Sequence, residues 1–397
     1  MVVSSSMEEK SPSRLEQLDW GAATNIVRRL DEPADIARFA AVSKSCRRMV
    51  VESRCIKELF SRKFPEVSMF DSVAEDKMST DVRPGSSQDS EWKNLKRENK
   101  IYFVLAREVS RPPVEASCIH ESICASSTDN YPQETIANTL DPVHKEAERP
   151  SYWSSKGESN SEVPETLTYA LHSNLCVVHE VKIRPFRAYF QRGDPIYSAN
   201  AVRFRFGYSS SSPESNTLKS DRLMSSSQFV SEDYIWTYVS PIYQMEQEDE
   251  LQTFKLPRPV LCIGGILQVE LLGRVQKQEM DGLYYICICL VYVVGRPLSF
   301  FNLEVLGEPR KFILKHSEKF IPKYAENGEC LGMLEDASRV PSDDEVSGTW
   351  NSIAERIRQI RAGRVLAMLG NIGVVNYVAP HDFDSDEEDL DDNSAMF

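Results

Sequence analysis

Between residues 116 and 295 the chain repeatedly places apolar side chains at every second position, a period that suits an extended strand and does not suit a helix. Leu175, Val177, Val181 and Ile183 share their run with Glu180, Lys182 and Arg184, the pattern of a strand with one wet face. Val202, Phe204 and Phe206 alternate with Arg203 and Arg205, and Leu267, Val269 and Leu271 alternate with Gln268 and Glu270. Gly264-Gly265, ahead of the last run, supplies a bulge or a tight bend. Leu283 to Val294, LYYICICLVYVV, is apolar at both parities and is expected to be a central strand covered on both faces. At twelve residues it is too short to cross a bilayer as a helix. Several such runs with loops of unequal length predict an antiparallel β-sandwich.

Ahead of the sandwich the spacing changes to three and four. From Asp19 to Val51, Ile26 and Leu30, with Ala22 or Ala23 one turn earlier, form one apolar helix face, while Asn25, Arg28 and Arg29 stay polar. Asp31-Glu32-Pro33 ends that helix and opens a second, because proline lacks an N–H and suits a first helical turn. The second helix carries Ile36, Phe39 and Ala40; Ser43 can cap a third bearing Cys46, Met49 and Val50. Three helices this short bury too little alone and must pack on a partner or on the rest of the chain. A helical pattern continues through Cys55 to Phe60 and stops at Phe64-Pro65.

The expected organisation is α+β: a disordered arm at 1–14, a three-helix module at 15–65, a linker at 66–90, a core-packing connecting helix at 91–115, the sandwich at 116–340, an amphipathic helix at 341–380 and a disordered acidic tail at 381–397. The late helix sets Trp350, Ile353, Ile357 and Ile360 beside Arg356, Arg358, Arg361 and Arg364. The Ser-rich insert at 209–227 and the acidic crossing at 244–250 read as loops.

Forty-six Lys and Arg against 60 Asp and Glu give a formal charge of −14, which disfavours nucleic acid and anionic membrane surfaces as partners. Nine cysteines, odd in number and irregular in spacing, argue against a secreted disulfide framework, and the opening MVVSSSMEEK is too weakly apolar for a signal peptide. The expected compartment is the nucleus, the cytoplasm or both. No catalytic constellation is found. There is no Gly-rich phosphate loop, and no nucleophile elbow surrounds Ser154-Ser155. Cys287 and Cys289 lack the further Cys or His pair that a tetrahedral metal site needs. The six histidines show no ligand spacing. No cofactor is implied.

Two resemblances complete the reading. Leu18-Asp19, Leu30-Asp31-Glu32-Pro33-Ala34-Asp35-Ile36 and Ala41-Val42-Ser43-Lys44-Ser45-Cys46-Arg47 resemble the F-box, with Cys46 where that family has Trp. The resemblance implies docking on a Skp-type adaptor, and through it on a cullin-RING ubiquitin ligase, by Leu18, Ile26, Leu30, Pro33, Ile36, Val42 and Cys46. The C-terminal half would then hold the protein to be ubiquitinated, and the chain itself would not be an enzyme. Ala125-Ser126-Ser127, Asn138-Thr139-Leu140-Asp141-Pro142 and Tyr152-Trp153-Ser154-Ser155-Lys156-Gly157, followed by a strand with Val181-Lys182-Ile183-Arg184, look like the discoidin or galactose-binding-like jelly roll. In that fold the ligand-facing loops lie at one end. The combination is similar to plant F-box proteins with such a C-terminal half. The competing reading is a carbohydrate- or peptide-binding sandwich unconnected with ubiquitination.

Overall fold

The computed structural model describes residues 19–75, 87–140, 151–210, 234–307 and 311–317. The expected arm, Leu18, most of the Ser-rich insert, the amphipathic helix at 341–380 and the acidic tail lie outside the described residues.

Four short helices, Trp20–Arg28 (α1), Pro33–Val42 (α2), Lys44–Ser53 (α3) and Cys55–Lys63 (α4), precede the long Ser87–Ser110 (α5). Their starts follow the capping chemistry. Asp19 accepts a hydrogen bond from the Gly21 N–H at 3.0 Å, Pro33 opens α2, and Ser43 Oγ accepts from the Cys46 N–H at 3.1 Å. Arg54, left-handed at φ 52°, turns the chain between α3 and α4. One detail departs from the expected spacing: α1 buries Ala23, Thr24 and Val27, and Ile26 points outward. The small Ala23 lets α1 lie close against α3 and α4, so the stripe one position round the helix becomes the core face.

The strands are Phe70–Glu75 (β1), Ile119–Ala125 (β2), Trp153–Ser154 (β3), Glu165–Leu171 (β4), Leu175–Arg187 (β5), Ile196–Tyr197 (β6), Ala199–Ser209 (β7), Tyr234–Val239 (β8), Tyr243–Gln244 (β9), Gln252–Ile263 (β10), Ile266–Arg274 (β11), Gln276–Lys277 (β12), Tyr284–Tyr285 (β13), Cys287–Pro297 (β14), Phe301–Leu306 (β15) and Lys311–His316 (β16). One antiparallel sheet runs β2-β4-β11-β7-β8 with β9 beside β7; the facing one runs β10-β5-β14-β3 with β6 beside β5. Val181, Ile183, Phe204, Phe206, Leu267 and Val269 meet in the core between them, as the period-two pattern requires. On the outer face, Glu270 receives Arg203 Nε at 2.5 Å and Arg205 Nη2 at 2.9 Å across neighbouring strands. Gly264-Gly265 is a tight turn that carries the chain from one sheet to the other, with φ of +94° and +70° that side chains resist.

The run Leu283 to Val294 is not one strand covered on both faces. Tyr284–Tyr285 leaves to form a hairpin with β12, and in β14 Cys287, Ile288, Val291, Val293 and Gly295 are buried, while Cys289, Leu290, Tyr292 and Val294 are half-buried. The outer face is covered there by the segment after α5, through the Tyr292 hydroxyl on the Glu115 carbonyl and Arg296 on the Pro112 carbonyl, rather than by a further layer.

The segment expected as a linker is partly structured. Pro65–Met69 is a 3-10 turn, and β1 pairs in parallel with β16, which pairs antiparallel with β15. This small sheet, the helices and one end of the sandwich share a continuous apolar core: Ile56, Leu59, Ile101 and Leu105 pack with Leu175, Val177, Leu261 and Ile263, and Phe301, Phe312 and Leu314 join them. Glu66, almost wholly buried, receives Arg258 through both terminal nitrogens at 2.6 and 3.2 Å, and the guanidinium lies over the Tyr238 ring at 5.4 Å.

His120 and His172, far apart in sequence, meet with ring centroids 5.0 Å apart. Burial first, and the neighbouring imidazole second, lower His172 from the usual 6.5 to about 4. The unfolded chain takes up this proton near pH 6.5 and the folded chain only near 4, so the stability this group confers is present above pH 6.5 and is lost as pH falls toward 4. The His172→Asn variant should therefore lose less thermal stability than wild type between pH 6.5 and 5, and equal losses in calorimetry would rule this linkage out.

Candidate functional site

At the end of the sandwich away from the helices, three segments converge on one buried guanidinium, and a fourth joins them through its carboxylate partner. Arg274 closes β11 and is shut off from water, so each of its N–H groups needs an acceptor. Nε donates to the Val163 carbonyl at 3.0 Å, and Nη1 to Ser155 Oγ at 3.0 Å and to the Lys156 and Tyr284 carbonyls at 2.7 and 3.0 Å. Nη2 reaches Glu165 at 2.5 Å. Glu165 accepts in addition from the hydroxyls of Ser126 and Ser127, and the Trp153 indole donates to the Ser127 carbonyl at 3.0 Å. The Ser and Trp residues of the Ala125-Ser126-Ser127 and Trp153-Ser154-Ser155 motifs thus tie loops together.

Beside this hub lies a cleft of about 170 Å³. Tyr152 and Phe186 stack in one wall, centroids 3.9 Å apart at 12°, and Tyr197 meets Tyr285 edge-on in the other. Cys287 and Ser154 line its buried side, and Asp129, Glu134 and Phe190 contribute to its lining. Each tyrosine is held by a hydrogen bond: Tyr152 to Glu134 at 2.7 Å, Tyr197 to Gln191 at 2.6 Å and Tyr285 to Asp281 at 2.6 Å. Gly157 supports the Tyr285 wall by close approach, since an added Cβ would sit 2.5 Å from the tyrosine hydroxyl. Burial holds the Cys287 thiol protonated and pushes Cys289 up to about 12, which opposes the thiolate a metal would require. Among the described residues no group of three or more His, Cys, Asp or Glu could hold a metal ion.

The residues assigned to adaptor docking separate by exposure. Ile26 and Val42 stand out at 47% and 71% exposed, together with Trp20 at 44%. Leu30 is half-buried, while Pro33, Ile36 and Cys46 lie inside the helical core, and Leu18 is outside the described residues. Of the cleft residues, Tyr152 and Ser154 belong to the Tyr152-to-Gly157 motif, and the others carried none. The signal of those others was the aromatic run Phe186, Tyr189 and Phe190 at and just past the end of a strand, together with Tyr284-Tyr285, positions that the period-two pattern leaves unexplained.

A helical module joined to an antiparallel sandwich defines the class of protein, and comparison with known proteins supplies the family. An F-box protein of Arabidopsis thaliana is 45% identical over 303 residues, covering 75% of this chain and 80% of that protein. The chain belongs to the F-box protein family. No protein-family model matches the sequence. Among solved structures, a family 32 carbohydrate-binding module of Clostridium perfringens NanJ, in complex with galactose, overlays 43% of this chain and 90% of its own at 12% identity and a TM-score of 0.27. Discoidin II of Dictyostelium discoideum overlays 46% and 63% at 11% identity and a TM-score of 0.28.

Removing one partner of a buried ion pair leaves the other charge without compensation. Arg274→Met should therefore destabilise the chain by roughly 3–5 kcal/mol, whereas Arg274→Met with Glu165→Leu should recover part of that loss. Urea unfolding measures both, and a single variant as stable as wild type would show the hub to be dispensable.

Proposed function

We propose that this chain is the non-catalytic target receptor of an SCF-type ubiquitin ligase, acting in the nucleus, the cytoplasm or both. The helices α1–α3 bind a Skp-type adaptor and through it a cullin-RING ligase, and the sandwich holds the protein to be ubiquitinated. Membership of the F-box family supports the reading, and one structural observation points to a surface: Trp20, Ile26 and Val42 remain exposed on a module that wholly or partly buries its other large apolar residues. Ile26 and Val42 form the contact itself, with Leu30 and Pro33 at its edge, Ile36 and Cys46 supporting it from the core, and Leu18 preceding it. The mechanism is positioning: target and loaded ubiquitin carrier share one complex, which raises the effective concentration of target lysines near the reacting bond.

Because Ile26 and Val42 are exposed, charge there leaves the fold intact, which is untrue of Ile36. The Ile26→Asp and Val42→Asp double variant should keep the wild-type melting temperature and weaken binding to a purified Skp-type adaptor roughly 100-fold or more, since two carboxylates would be desolvated in an apolar contact. Absence of adaptor binding by the wild-type chain would overturn the assignment. Undiminished binding by the double variant would move the contact elsewhere.

A further inference from the structure

The cleft at the far end of the sandwich has a chemistry of its own. Its volume, about 170 Å³, is below the ~300–1,000 Å³ of pockets that enclose drug-sized ligands and suits a single side chain. Its walls are aromatic, from Tyr152, Phe186, Phe190, Tyr197 and Tyr285. Its charge is of one sign: Asp129 and Glu134 line it, Asp281 holds the Tyr285 hydroxyl, and no Lys, Arg or His is in the lining. The Asp129 carboxylate has no hydrogen-bond or ion-pair partner among the described residues.

The titration behaviour agrees. Partial desolvation at the cleft rim first, then Glu134 and Asp281, raise Asp129, with Lys156 opposing. Burial first, with Cys287, Asp281 and Glu279 adding, pushes Tyr197 up to about 12, and Tyr285 is raised as well. Aromatic faces carry negative potential, so rings and carboxylates arranged this way attract a cation. The hydrogen bonds that hold Tyr152, Tyr197 and Tyr285 set the rings in place before a ligand arrives, which lowers the cost of binding. Phe190, Tyr189 and Tyr131 stand exposed nearby, available for the chain that carries the cation.

We propose that this cleft takes the cationic side chain of a target protein, an arginine or a lysine, with the rings against its face and Asp129 and Asp281 balancing its charge. The proposal rests on the reading of the sandwich as the target-holding half and names the chemistry it selects.

The test uses the full-length chain and capped peptides Gly-Gly-X-Gly-Gly, with X as arginine, lysine, norleucine or glutamate, followed by ligand-observed NMR titration, and with free galactose as a further probe. Arginine or lysine peptides should bind with Kd on the order of 1 mM, norleucine and glutamate peptides should not, and added salt should weaken the binding. The Asp129→Asn and Asp281→Asn double variant, both positions being exposed, should reduce cation binding at least fivefold with an unchanged melting temperature. Norleucine binding as well as lysine, galactose binding without cation binding, or no saturation by either cationic peptide would each overturn the proposal. Adaptor binding measured on the same samples separates the two readings: its loss with cation binding retained sinks the ligase assignment alone, and the reverse sinks the cleft assignment alone.

Discussion

A guanidinium cut off from water must find a protein acceptor for each of its donors, and in this chain Arg274 finds them in three separate segments, with a fourth joined through Glu165. The consequence is geometric more than energetic. Glu165 fixes the start of β4, Ser126 and Ser127 fix the loop after β2, and Ser155 and Lys156 fix the loop after β3. The Tyr284 carbonyl ties down the hairpin that presents Tyr285. A buried ion pair of this kind contributes little net stability beside an apolar replacement, but it admits only one arrangement of the loops it joins. The cleft is the space those loops leave.

The opposite end of the sandwich is held by apolar packing instead. Leu175 and Val177 face the helices, while Cys176 and Val178, one position away, face the facing sheet, so the first part of β5 serves two cores at once. The parallel pairing of β1 with β16 brings the segment after α4 together with the strand that follows the sandwich. Glu66 and Arg258 add a charged clasp to the same junction. Helices and sandwich therefore form one body, and neither apolar face has to stay wet.

Much of this was legible in the residues. Val202, Phe204 and Phe206, and Leu267, Val269 and Leu271, point inward as alternation requires, because strand geometry leaves a side chain only two directions. The helix starts at Pro33 and Ser43 were equally readable, since capping depends on near neighbours. What stayed hidden depends on distant partners. β1 is a short polar-rich strand whose identity comes from β16. The α1 stripe through Ala23 and Val27 and the one through Ile26 and Leu30 have the same period, and only the close approach of α3 and α4 chooses between them. Arg274 reads as a surface cation until its acceptors are assembled around it. Of the cleft aromatics, Tyr152 and Phe190 sit on loops, Phe186 near the end of β5, and Tyr197 and Tyr285 in two-residue strands too short for a period to mark a side chain as inward.

β5 runs without interruption in chain direction from the helical junction at Leu175 to the cleft at Phe186, roughly 35 Å at ~3.3 Å per residue. Its neighbours β10 and β14 brace it on either side. The pairing skips His179 in both ladders, where β5 bulges, and resumes on either side, so the two paired stretches keep whatever occupies the cleft at a set distance from whatever occupies the helices. On the proposed reading the sandwich is a ruler: it decides how far a lysine must lie from the recognised cation along the target to reach the transfer chemistry. Two targets carrying the same cation would then differ in fate by the length of chain that separates it from their lysines.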